Sequence, residues 1–281
     1  MPSLKKLKRI LFPVDFSDSS IAAARYVETF AGRFEAEVML LHVVGMGEHA
    51  LASELLPGRQ AQLNAFLADE FKYFTTQRIC VIGDPATEIL DTAHRWLPDM
   101  VMMPTRGLGA FRRLLLGSVT AKALHDLSCP VWTSPHLETA PLLEEIHFRR
   151  ILCALDLTER SGCVLEWAAW LASQCQADLG IVHASAELPS EYYGWDLEKE
   201  FVESVAADAK REIEKLQTAA GSSAQVFVTP GYPATVVAEA ARNFDADLLV
   251  MGRHAEAGIA GYLRHSAYAI LRDSPCSVIS I

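Results

Sequence analysis

The chain contains itself twice, and that repeat constrains its fold more than any other feature. "ILFPVDFSDSS" (10–20) returns as "ILCALDLTERS" (151–161), which sets Asp15 and Asp156 141 positions apart. "LLHVV" (40–44) returns as "GIVHAS" (180–185), with His42 and His183 again 141 apart. "GDPATEIL" (83–90) returns as "GYPATVVA" (231–238) at an offset of 148, and "SCPV" (128–131) as "PCSV" (275–278) at 147. Order is kept and the offset drifts by a few residues, so the chain is two copies of one domain. The extra residues fall between His183 and Gly231, in the segment holding Tyr192, Tyr193 and Trp195. The join is "HLETAPLLEEIHF" (136–148), which puts the domains at 1–140 and 146–281.

The 281 residues suit two domains. Composition is 51% hydrophobic and 21% charged, which is globular, and the net charge of −10 argues against nucleic acid and anionic membranes as partners. The basic run Lys5, Lys6, Lys8 and Arg9 reads as a solvated flank. The apolar stretch behind it stops at Pro13 and Asp15, too short for a secretory signal. No apolar run approaches the ~20 residues that span a bilayer. The six cysteines lack C-x-x-C spacing, which points to a reducing, cytoplasmic setting without a zinc site.

Each copy alternates strand and helix. Ile10–Val14 reads as a buried strand, and Ser17 to Ser20 offer N-caps for a helix with Val27, Phe30, Ala31 and Phe34 on one face. Val164, Leu165, Ala168, Leu171, Ala172 and Cys175 make the matching face in the second copy. Val38–Val44, Arg78–Ile82, Met100–Met103 and Val131–Ser134 read as strands; Ala61–Phe74, Pro85–Trp96 and Ser118–Leu127 read as helices. Continuous apolar strands alternating with helices predict a parallel sheet covered on both faces, with a ligand site at the strands' carboxyl ends.

Three strand ends carry the candidate chemistry. Asp15 can accept from an exocyclic amine or ribose hydroxyl, or it can cap the following helix. Gly107 permits close backbone approach, and Gly117–Ser118 begins a helix whose free N–H groups attract an anion. Ser118 is a phosphate ligand or an N-cap; Arg112 and Arg113 screen phosphate charge or are solvated. His42 and His183 read as structural, Met102, Met103 and Met251 as core.

The combination "ILFPVDFS", "LLHVV", "RGLGAFRRLLLGSVT" and "SCPV" resembles the universal stress protein family in its tandem form. The resemblance implies an α/β fold: two doubly wound, Rossmann-like domains, each with a five-stranded parallel sheet in the order 3-2-1-4-5. It also implies that the last strands pair across a pseudo-two-fold as an internal pseudo-dimer, and that two such chains can associate. Nucleotide-binding members hold ATP in this cleft. Carried onto this sequence, Pro13, Asp15 and Val43 would face adenine and ribose, and Met103, Gly107, Gly117, Ser118 and Val119 would line the phosphates of ATP or AMP, with or without Mg²⁺.

The family pattern opens with a glycine where this chain has Pro104, which removes one N–H donor. The second copy keeps Asp156 and Gly252 but has Ala255 at the next glycine, and ten positions on from there stand His265 and Ser266. His254 and His265 are metal or anion candidates there, or surface residues. The reading is a nucleotide-binding regulatory protein of the stress response acting on an unidentified protein partner, with a degenerate second domain. The alternative is a scaffold or sensor that binds no nucleotide, its second cleft repurposed. No Walker A sequence, no S-G-G-x-D-S motif and no acid–base pair argues for an enzyme, although slow ATP hydrolysis is compatible with the sequence.

Overall fold

A computed structural model describes residues 6–45, 52–105, 116–134, 137, 139–185, 195–253 and 265–281. The chain divides into two units between His147 and Phe148.

The first unit runs β1 (Arg9–Pro13), α1 (Asp18–Phe34), β2 (Glu37–Gly45), α2 (Ala52–Ala65), β3 (Thr76–Gly83), α3 (Pro85–Trp96), β4 (Met100–Met102), α4 (Ser118–Asp126) and β5 (Val131–Thr133). Its strands are parallel in the order β3-β2-β1-β4-β5. The centre of the sheet is closed to water: Ile10, Leu11, Phe12, Leu40, Met100 and Val101 are fully buried. Each contributes roughly 1.5–3 kcal/mol relative to exposure. The order reverses at β1, which lies between β2 and β4, so the cleft between strand ends opens there.

Local chemistry fixes the helix ends. Ser17 caps α1, its hydroxyl accepting from Ser20 N at 3.2 Å. Asp84 caps α3 by accepting from Thr87 N (3.0 Å) and Thr87 Oγ1 (2.8 Å), bonds that hold its carboxyl below the usual range. Pro85 takes the first helical position, where an N–H is not needed. The basic flank is more than solvated charge. Lys8 Nζ donates to Phe34 O at the end of α1 (2.8 Å), and Arg9 donates to Trp96 O at the end of α3 (2.6 Å). Both place a cation at a helix C-terminus. Lys5 lies outside the described residues.

The helix expected at Ala61–Phe74 is displaced. α2 ends at Ala65, and Arg78 donates to the carbonyls of Leu63, Phe66 and Leu67 at 3.1 Å each, while Leu67 adopts φ 53°. The guanidinium takes the terminal carbonyls that a further helical turn would have used.

The second unit repeats the architecture: β6 (Arg150–Ala154), α5 (Ser161–Cys175), β7 (Asp178–Ser185), α6 (Trp195–Ala220), β8 (Gln225–Pro230), α7 (Pro233–Asn243), β9 (Leu248–Met251), α8 (His265–Asp273) and β10 (Ser277–Ser280). Its parallel order β8-β7-β6-β9-β10 is the same 3-2-1-4-5. The predicted faces of α1 and α5 are buried in full. Tyr192 and Tyr193 lie outside the described residues, and Trp195 opens α6. Cys80, Cys153, Cys163 and Cys276 are free thiols. Among the described residues, no helix is long and apolar enough to cross a membrane.

Candidate functional site

In the first unit the cleft is built on the carboxyl ends of β1, β2 and β4. Pro13 ends β1 opposite Leu41, and Val14 N continues the pairing to Leu41 O at 2.9 Å. The chain then turns sharply: Phe16 takes φ 63°, a left-handed conformation that costs a bulky residue energy. Phe16 is held there by packing on His42 (ring centroids 4.2 Å apart) and edge-on to Phe66 (5.1 Å). His42 is structural as read, its Nδ1 donating to Val14 O at 2.9 Å.

Asp15 sits in this turn, half-buried. Its Oδ1 accepts from Ser17 N (3.1 Å), Ser20 Oγ (2.8 Å) and Ser17 Oγ. Of the two roles open to Asp15 in the sequence, Oδ1 takes the structural one, gathering the serines at the start of α1. Asp156 repeats the arrangement, accepting from Thr158 N (3.1 Å), Thr158 Oγ1 (2.8 Å) and Ser161 Oγ (3.0 Å), and Leu157 repeats the left-handed turn at φ 55°.

The far wall comes from β4 and α4. Met103 is buried, its N–H bonded to Trp132 O at 3.1 Å. Gly117 N donates to Thr105 O at 2.9 Å, so the two ends of the segment 106–116 meet. Thr120 Oγ1 donates to Pro104 O (3.1 Å), and Thr105 Oγ1 to Ser134 O (2.9 Å). The Gly117 and Thr120 bonds latch the start of α4 against the end of β4, and the Thr105 hydroxyl ties that strand end to the end of β5. The sequence reading missed Thr105 and Thr120; their signal was a threonine on each flank of the glycine-bounded loop.

Ser118 is not an N-cap. Gly117 is, with φ −61° and no side-chain cap, and Ser118 is the exposed first residue of the helix. α1 and α3 have N-cap side chains that accept their free N–H groups, whereas the N-cap of α4 is a glycine. Pro13, Asp15, Val43, Met103, Gly117, Ser118 and Val119 therefore share one edge of the sheet, Val43 half-buried near the end of β2 and Val119 half-buried in the first turn of α4. Gly107, Arg112 and Arg113 lie outside the described residues. Among the described residues, no group of three or more His, Cys, Asp or Glu is placed to hold a metal.

In the second unit, the corresponding edge holds a cavity of about 200 Å³ at the ends of β6, β7 and β9, reaching the first turn of α8. Its wall includes Asp156, His183, Gly252 and Ser266. The register inferred for α8 needs correction. Thr120, Ala123, Leu124 and Leu127 are buried in the first unit, and Ala267, Ile270, Leu271 and Ser274 in the second. That offset is 147, so His265 stands in the place of Ser118 and not of Gly117, and Ser266 in the place of Val119. Counted from Gly252, which matches Pro104, the segment leading to α8 is one residue shorter than the one leading to α4, and Arg264 precedes the helix where the first unit has glycine. His254 lies outside the described residues.

The family model described as the universal stress protein family matches the chain twice, over residues 6–135 and 147–281. The chain belongs to the universal stress protein family. A universal stress protein of Methanocaldococcus jannaschii is 33% identical over 135 residues, covering 44% of this chain and 79% of that protein. A universal stress protein A homolog of Coxiella burnetii is 29% identical over 140 residues, covering 48% of this chain and 97% of its own. The crystal structure of a universal stress protein from Archaeoglobus fulgidus superposes with a TM-score of 0.75 at 22% identity, covering 97% of both chains. The tandem universal stress protein fold thus accounts for both units.

Proposed function

We propose that the first unit binds ATP or AMP and that the chain is a nucleotide-binding regulatory protein of the stress response. One observation carries the reading: α4 starts at the cleft edge, latched to Thr105, with glycine as its N-cap residue and so no side-chain cap bond from that position. Such a start carries about half a positive charge and suits a phosphate. The residues fit that group. Ser118 and Val119 offer backbone donors and Ser118 a hydroxyl, while Gly117 lets the phosphate approach closely. Gly117's own N–H is spent on Thr105, so it contributes space and no donor. Pro13, Val43 and Met103 supply an apolar wall toward the base, and Asp15 sets the turn that shapes it. Mg²⁺ would enter with the triphosphate and be held by its oxygens.

The protein acts by binding and not by turnover: a protein partner reads the surface that the bound nucleotide alters. Ser118→Glu tests this. A carboxylate at the first helical position favours the helix by about 0.3–1 kcal/mol but repels phosphate. ATP titrated calorimetrically with Mg²⁺ should bind the wild type saturably and the variant roughly tenfold more weakly or worse. Equal affinity in a folded variant contradicts the site.

A further inference from the structure

At the amino end of the first unit's sheet, opposite the cleft, Leu97 follows the last residue of α3 with φ 52° and a side chain 63% exposed. A lone exposed leucine is ordinary, but an exposed leucine in left-handed backbone is not, since that conformation favours glycine, asparagine or aspartate. The second unit shows the ordinary solution. Asp245 stands at the matched position with φ 47°, its carboxylate 3.4 Å from Arg150. Leu97 thus carries a strain that packing within its own unit does not offset.

The surroundings of Leu97 are basic. Arg9 donates to Trp96 O (2.6 Å) and its guanidinium lies 5.9 Å from the centroid of the Trp96 ring, which is partly exposed and extends the apolar patch. Exposed Arg95 precedes that ring, and exposed Arg33 lies in the last turn of α1, whose final carbonyl Lys8 holds. Of the carboxylates at this end, Asp99 is occupied by the N–H groups of Lys8 and Arg9 (2.7 and 2.9 Å), and Glu35 lies 3.6 Å from Lys8 Nζ. Cations at helix C-termini complement the helix dipole. That accounts for Lys8 and Arg9, which the second unit matches with Arg149 and Arg150. It does not account for Arg33 and Arg95, because the second unit has Gln174 and Asn243 there, on helices that end within one residue of the same places.

We infer that this end of the first unit docks a protein segment that sets an apolar side chain among carboxylates. Leu97 and the Trp96 ring receive the apolar side chain, and Arg95, Arg33 and Lys8 attract the carboxylates around it. The whole chain carries a net charge of −10, so an extended anionic surface, a bilayer or a nucleic acid, is repelled. A short acidic segment lies within a Debye length, about 8 Å, of the basic edge and meets the local charge instead. The inference does not depend on nucleotide binding, which takes place at the other end of the sheet.

The test titrates the full chain into a fluorescein-labelled peptide of about 14 residues, leucine at every third or fourth position and glutamate between, read by anisotropy at low and physiological salt. Comparison probes are the same peptide with serine for leucine, vesicles containing phosphatidylserine, and a DNA duplex. Expected is saturable binding of the leucine peptide, roughly tenfold or more tighter than the serine peptide and weakening as salt rises. Leu97→Asn separates docking from folding. Asparagine suits the left-handed backbone, so the variant should melt at or above the wild-type temperature while binding the peptide roughly tenfold more weakly. Arg95→Asn, which installs the second unit's residue, should weaken binding and flatten its salt dependence. The inference is overturned by no saturable peptide binding, by equal affinity for the serine peptide, or by tighter binding of the vesicles or DNA. It is equally overturned by unchanged binding in Leu97→Asn or Arg95→Asn, or by a lower melting temperature in Leu97→Asn, which would make Leu97 a residue of the fold.

Discussion

The N–H of Gly117 meets the carbonyl oxygen of Thr105 at 2.9 Å, joining the first residue before α4 to the strand end it left at Met102. Gly117→Pro isolates this bond. Gly117 has φ −61°, which proline adopts without strain, so the substitution removes the N–H and little else at that residue. Thr105 is buried, and leaving its carbonyl without that donor should cost about 1–2 kcal/mol. Denaturant unfolding measures the loss. ATP affinity should fall with it, because the uncapped helix start is no longer pinned at the cleft.

Asp15 gathers Ser17 and Ser20 as Asp156 gathers Thr158 and Ser161. Asp15→Ala should destabilise the start of α1 by about 1–2 kcal/mol, and Asp15→Asn by clearly less, since an amide oxygen still accepts. Asp156→Ala should do the same to α5. Hydrogen exchange resolved to peptides checks both, and protection should drop only in the unit that is altered.

Glu28 is buried on α1 beside Arg25 (3.0 Å), and Arg25 also reaches Glu70 at 3.7 Å. Burial raises the Glu28 pKa, Arg25 opposes that, and Glu70 adds to it. The unfolded chain therefore releases this proton near 4.5 while the folded chain still holds it. Stability from this group is full below that value and falls as pH rises through the higher folded pKa. Glu28→Gln removes the slope. Urea unfolding at several pH values should show wild type losing stability relative to the variant above pH 4.5, and parallel curves would contradict the assignment.

Much of this was legible in the sequence because the repeat supplied each argument twice. The buried faces of α1 and α5, Pro85 at the head of α3 and the glycine before Ser118 follow from spacing and backbone chemistry alone. Two features resisted. α2 has Leu63 buried but little helical periodicity, and its end is set by Arg78, a residue on the following strand. Counting ten positions on from Ala255 sets His265 against Gly117, one residue out, because loop length carries no periodic signal; only the buried positions Ala267, Ile270 and Leu271 reveal the register.

The central claim is tested most directly on protein as purified: denature it, chromatograph the supernatant, and quantify nucleotide against protein. The account predicts about one ATP or AMP per chain, held by the uncapped start of α4. No nucleotide, followed by no heat on titrating ATP with Mg²⁺, would contradict it, and about two per chain would contradict its restriction to the first unit.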